Sequence, residues 1–187
     1  MLFYAGICQE NKQKKMSQNT CKARNINPFK RFQDMTRILF VCHGNICRSP
    51  MAEFVMKDLV KKAGVESQFH IESAATSTEE IGNPVYPPAR RKLAEHGIDC
   101  TGKTARRLTN TDYGRYDLLI GMDRANLRNM RRICGGDAGG KLHLLMDFSD
   151  RPGEVADPWY TNDFETTWRD VLAGCQGLLE RCQGDSL

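Results

Sequence analysis

From Thr36 onward the apolar residues keep two alternating rhythms. Ile38, Leu39, Phe40 and Val41 form a short unbroken run, which predicts a buried strand over 37–42. Ala52, Val55, Met56, Leu59, Val60 and Ala63 then recur at intervals of three and four, a stripe down one face of a helix. Lys61 and Lys62 suit the negative end of that helix, and Gly64 suits a left-handed cap. Phe69–Ala74 predicts a second strand. Pro87-Pro88 opens a helix that runs through His96 and closes at Gly97. Asp117–Gly121 predicts a third strand, Asp123 an N-cap for a helix to about Arg132, and Lys141–Leu145 a short fourth strand. A final helix is expected from near Asn162, with Phe164, Trp168, Val171, Leu172, Cys175, Leu179 and Cys182 on one stripe.

Strands alternating with helices through short links predict one α/β domain over 36–183. Its four-stranded parallel sheet is expected to be covered by helices on both faces. Ligands in such sheets bind beyond the carboxyl ends of the strands. Two segments belong at that end: the turn after the first strand, and the loop after the fourth that carries Asp147, Asp150 and Asp157. The sequence does not say whether they meet.

Composition changes this picture little. The chain has 187 residues and a formal net charge of +4, but residues 1–34 hold seven Lys/Arg against Glu10 and Asp34. The remainder is therefore slightly acidic, which speaks against a nucleic-acid partner. Residues 1–34 are polar and aperiodic and read as a disordered extension, with Met35 an alternative start. No apolar run approaches the roughly 20 residues of a membrane span, and no secretory leader is recognisable. The eight cysteines include no CxxC pair, and the four histidines are dispersed, so neither a zinc cluster nor a cofactor is expected. A reducing, cytoplasmic location is the simplest reading.

The strongest chemical signal is Cys42-His43-Gly44-Asn45-Ile46-Cys47-Arg48-Ser49-Pro50, lying between the first strand and the first helix. A tight loop curling onto a helix N-terminus turns backbone N–H groups inward, an anion nest. Gly44 permits a positive φ and Asn45 tolerates one. Arg48 can hold two oxygens of a bound anion, and Ser49 can donate to the Cys42 sulfur. Such surroundings favour the thiolate, and a thiolate beneath a tetrahedral dianion is set for in-line attack on phosphorus. The leaving oxygen then needs an acid. Asp157, in Asp157-Pro158-Trp159-Tyr160, is the best candidate, with Trp159 and Tyr160 as flat walls for an aromatic group, although a lone Asp-Pro is more commonly a turn.

Residues 36–183 resemble the low-molecular-weight protein tyrosine phosphatase family. The resemblance rests on the Cys42–Pro50 loop, Asp157-Pro158, Ser73–Ser77 and Gly121–Leu127. It implies Cys42 as nucleophile through a cysteinyl-phosphate, Arg48 as phosphate clamp, and Asp157 as acid and then base. It implies Asn45 and Ser73 as supports of the loop, and His43, Gly44, Ile46, Cys47 and Ser49 around the phosphate. Cys47 matches the cysteine that forms a protective disulfide with the nucleophile. The expected partner is a phosphotyrosine protein, with no metal, and the protein is expected to be a monomer with weak self-association. Glu79 stands where relatives often have an aromatic, and Trp159 where many have tyrosine. Ile46 favours tyrosine phosphate over arginine phosphate, since relatives acting on the latter carry threonine there. Lys103, Arg106 and Arg107 read as solvated surface. Two rivals share the loop: a thiol-dependent arsenate reductase, which lacks its mid-chain cysteine pair here, and a phosphate-binding module without activity.

Overall fold

The computed structural model describes residues 35–184, so the extension assigned to 1–34 lies outside the described residues. The strands are β1 (Thr36–Cys42), β2 (Phe69–Ala75), β3 (Leu118–Gly121) and β4 (Leu142–Leu144). The α-helices are α1 (Arg48–Lys62), α2 (Pro87–Glu95), α3 (Asp112–Arg115), α4 (Arg124–Cys134), α5 (Pro158–Thr161) and α6 (Phe164–Gly184). The sheet is four-stranded and parallel throughout, in the order β2-β1-β3-β4.

Side chains alternate across β1, so the apolar run feeds two cores. Ile38, Phe40 and Cys42 pack with Met51 and Val55 of α1, Leu93 of α2, and Trp168 and Val171 of α6. Leu39 and Val41 face the other way, with Leu119, Tyr116 and Met130 of α4. Burying one such side chain stabilises the fold by roughly 1.5–3 kcal/mol, and the β1 residues from Ile38 to Val41 are all fully buried. Helices on both faces follow from this double burial.

Asp123 caps α4 as expected, its carboxylate accepting the Asn126 N–H at 2.6 Å, and Gly135 ends the helix at φ 75°. The last helix begins at Phe164 rather than near Asn162. Asp157 caps a one-turn helix of its own, and Asn162 closes it in the left-handed region at φ 54°. The Asp163 carboxylate then accepts the Thr166 N–H, which starts α6.

The path of the chain positions the site. From β1 it moves to one neighbour, β2, then crosses back to the other side for β3 and β4. The strand order therefore reverses at β1, and a crevice opens at its carboxyl end. Cys42 ends β1, Asp123 follows β3, and Asp157 follows β4, all at that same end.

Candidate active site

Asn45 organises the loop between Cys42 and Arg48. It is 1% exposed and holds φ 59°, a conformation asparagine tolerates better than most residues. The positive φ thus falls on Asn45, and Gly44 is not among the positive-φ residues. The Asn45 backbone N–H donates to Cys42 Sγ at 3.3 Å. Its side-chain Nδ2 donates to Ser49 Oγ at 2.8 Å and to Ser73 Oγ at 2.7 Å, while Oδ1 accepts the Arg106 N–H at 3.1 Å. Because Ser49 Oγ already accepts from Asn45, its own hydrogen is free for Cys42 Sγ, 3.1 Å away. The buried sulfur therefore receives two donors.

Arg48 is the first residue of α1, and its side chain is only 5% exposed. Its Nη1 donates to Asp123 Oδ2 at 2.8 Å and to the Val155 carbonyl at 3.3 Å, and its Nη2 donates to Asp157 Oδ2 at 2.6 Å. The loops after β1, β3 and β4 therefore meet on one guanidinium. The structure brings Cys42, Arg48, Ser49, Asn45, Ser73 and Asp157 together across 116 positions of sequence, from Cys42 to Asp157 inclusive. Asp123, read from sequence only as a helix cap, is a second carboxylate partner of Arg48.

A buried relay behind the loop was missed at the level of sequence. Ser73 Oγ donates to Glu53 Oε2 at 2.6 Å, and Glu53, 3% exposed, also pairs with Lys57 at 2.6 Å and Lys103 at 2.7 Å. An acidic residue on the inward stripe of the first helix was the available signal for Glu53. Lys103 and Arg106 are not solvated surface, contrary to expectation. Lys103 is tied to Glu53 and the Ser73 carbonyl, and Arg106 holds Glu72, Asp112 and Tyr116. Their partners lie 50, 30, 34, 6 and 10 positions away, outside the helix and strand periods that a sequence pattern shows. Arg107 alone of the three is exposed.

At the rim, His43 Nε2 donates to Glu79 Oε2 at 3.1 Å, with both side chains well exposed. Glu80 lies against Gly44, where a Cβ would meet Glu80 Cγ at 3.1 Å. Ile46 and Cys47 are buried with Ala105. Burial, reinforced by negative charge at Cys42, Asp157 and Glu80 and only partly offset by Arg48, pushes the Cys47 thiol up to about 12. Trp159 is 57% and Tyr160 86% exposed, and Trp159 packs at 5.4 Å against Tyr86, a residue that sequence reasoning did not single out. Among the described residues no group of three or more His, Cys, Asp or Glu is placed to hold a metal ion, and no helix is long and apolar enough to cross a membrane.

Chemically, the arrangement can seat an anion. It comprises a helix N-terminus, a buried sulfur with two donors, and a guanidinium flanked by a carboxylate able to exchange a proton. Residues 37–186 match the family model described as low molecular weight phosphotyrosine protein phosphatase. A low molecular weight phosphotyrosine protein phosphatase from Gallus gallus is 39% identical over 153 residues, covering 79% of this chain and 96% of that protein. The Bacillus subtilis low molecular weight protein-tyrosine-phosphatase YfkJ is 36% identical over 151 residues, covering 80% and 97%. The crystal structure of YfkJ superposes with a TM-score of 0.79 over 84% of this chain and 100% of that one, at 35% identity. The low molecular weight protein tyrosine phosphatase structure from Streptococcus pyogenes gives 0.70 over 79% and 93%, at 42% identity.

Proposed function

Since the chain belongs to the low molecular weight phosphotyrosine protein phosphatase family, we propose that it hydrolyses protein phosphotyrosine through a cysteinyl-phosphate, without a metal. It is a phosphoric monoester hydrolase. Cys42 Sγ attacks phosphorus as the thiolate while Arg48 and the loop N–H groups take up the phosphoryl oxygens. The P–O bond to the aryl group breaks, its electron pair stays on the leaving oxygen, and Asp157 delivers the proton. Asp157, now a carboxylate, takes a proton from water as that water attacks the cysteinyl-phosphate. The Ser49 hydroxyl stabilises Cys42 as it departs. Asn45 and Ser73 keep the loop in shape, His43, Gly44, Ile46 and Cys47 frame the phosphate, and Trp159 and Tyr160 flank the aromatic ring. The observation that carries this reading is the meeting of Arg48 with Asp157 over the loop in which Ser49 and Asn45 both donate to Cys42.

Purified protein under reducing conditions is expected to hydrolyse p-nitrophenyl phosphate in the presence of a chelator, and Cys42→Ser to abolish turnover while phosphate still binds. Among peptides carrying phosphotyrosine, phosphoserine or phosphoarginine, only the first is expected to be turned over efficiently. A Cys42→Ser variant as active as the parent would remove Cys42 as nucleophile. Asp157→Ala is expected to slow phosphotyrosine by about 10²-fold and p-nitrophenyl phosphate much less, because a good leaving group needs little protonation. Equal losses would count against the acid role.

Cys47 is not a second nucleophile toward phosphorus, since its raised pKa keeps it a thiol at neutral pH; its place in the same loop as Cys42 is what suits it to a redox guard. Peroxide oxidises Cys42 to the sulfenic acid, and Cys47 condenses with it, releasing water and forming a disulfide. Mass spectrometry after mild peroxide treatment is expected to find the Cys42–Cys47 bond, reversible by a thiol. A reducing compartment such as the cytoplasm suits this chemistry, and Cys42 and Cys47 are both free thiols.

A further inference from the structure

We infer that Tyr86 is a positioning residue for the proton-transfer step, its ring holding the short helix that Asp157 caps against the phosphate loop. The inference rests on the phosphatase reading above.

Helix α5 has only four residues, and the Asn162 N–H closes it by donating to the Pro158 carbonyl at 2.8 Å. One turn does not hold itself in water, so tertiary contacts must fix it. On the inner side Val155 N–H donates to the Met122 carbonyl at 2.9 Å, Ala156 N–H donates to Asp170 Oδ2 at 3.2 Å, and Pro158 is buried. At Asp157 itself, one carboxylate oxygen accepts the Trp159 N–H at 3.1 Å and the other holds Arg48.

The Arg48 contact does not survive into the step that uses Asp157. To act as an acid the carboxyl must carry a proton, which cancels its charge attraction to the guanidinium. The phosphate oxygens then take the Arg48 N–H groups. As the Sγ–P bond forms and the P–O bond breaks, the aryl oxygen keeps the electron pair and takes that proton. At that moment α5 has lost its strongest tie to the loop, and 1 Å of drift of a catalytic group is costly.

Tyr86 supplies what remains. Its backbone is fixed at both ends: its N–H donates to the Ile46 carbonyl at 2.9 Å, and its carbonyl accepts the Arg90 N–H at 3.0 Å, opening α2. Pro87 restricts Tyr86 to the extended backbone it adopts, φ −53° and ψ 133°. The ring packs against the buried group of Ile46, Cys47 and Ala105. On its other side it meets Trp159 at 5.4 Å with planes tilted 54°, and Phe164 at 6.2 Å. One side chain therefore touches the phosphate loop, α5 and the start of α6. Among the described residues the Tyr86 hydroxyl has no hydrogen-bond partner, so the ring carries the effect.

The test compares Tyr86→Ala, Tyr86→Leu and Tyr86→Phe with phenyl phosphate and p-nitrophenyl phosphate, two esters of similar shape with poor and good leaving groups. Tyr86→Ala is expected to lower kcat/KM about tenfold for phenyl phosphate and less than about threefold for p-nitrophenyl phosphate, with inhibition by inorganic phosphate unchanged. Tyr86→Phe is expected to restore the parent profile. In an Asp157→Ala background the same substitution is expected to have little further effect. Equal losses on both esters, weakened phosphate inhibition, or full additivity with Asp157→Ala would each overturn the assignment. Tyr86→Leu serves where the alanine variant is unstable. Loss of p-nitrophenyl phosphate turnover in the parent protein would strike the phosphatase reading itself, and so is distinguishable.

Discussion

Asn45 shows how much one residue can carry. Every polar atom of its side chain is used, on Ser49, Ser73 and Arg106, while its backbone sits at φ 59°. Asn45→Ala leaves a buried N–H without a partner and forces alanine into a left-handed conformation. A loss of about 2–4 kcal/mol is expected, measured by urea denaturation. Asn45→Gly relieves the backbone and should lose less stability but recover little activity, because the Ser49–Cys42 geometry stays unsupported. Glu79 illustrates the opposite case. Its pair with His43 is exposed on both sides, so Glu79→Gln is expected to change stability by less than about 1 kcal/mol. The same change should lower kcat/KM for phosphotyrosine peptides with an adjacent arginine relative to those with an adjacent glutamate. An unaltered ratio would remove Glu79 from peptide selection.

At the level of elements, most bounds were legible because burial and helix capping are local signals. The first strand, the striped helix after it, the Pro87 start and the Asp123 cap all stand where pattern placed them. The exceptions are the short pieces. The Asp157 turn has too few residues for periodicity, and α3 covers only Asp112–Arg115. Helix α6 contains a constraint that its apolar stripe concealed. A Cβ on Gly177 would lie 1.8 Å from the Phe148 carbonyl oxygen, and one on Gly174 would lie 2.6 Å from Leu145 Cγ. Alanine is favoured over glycine inside an isolated helix by about 1 kcal/mol. Gly177→Ala is nevertheless expected to destabilise the protein by about 1–3 kcal/mol, because the obstacle is backbone. A thermal melt settles the sign.

At the scale of the whole molecule, burial has a consequence for pH. Cys47 is raised from the ordinary 9.0 to about 12, first by burial, and burial likewise raises Cys175 and Tyr116. Each folded-state pKa exceeds its unfolded value, so this stability is complete below about pH 9 and is lost as pH rises towards 12. Urea midpoints are expected to fall steadily above pH 9, and Cys47→Ser to flatten part of that fall. The sequence by itself determined the alternation of elements, the two-faced burial of β1 and the place of the Cys42–Ser49 loop between strand and helix, because each is written in neighbouring residues. Only the tertiary structure decided that Asp157 and Asp123 share Arg48, that Lys103 and Arg106 turn inward, and that Tyr86 links the Cys42–Ser49 loop to the short helix that Asp157 caps. Those contacts depend on parallel strands delivering distant loops to one end of the sheet, and no local pattern encodes such a meeting.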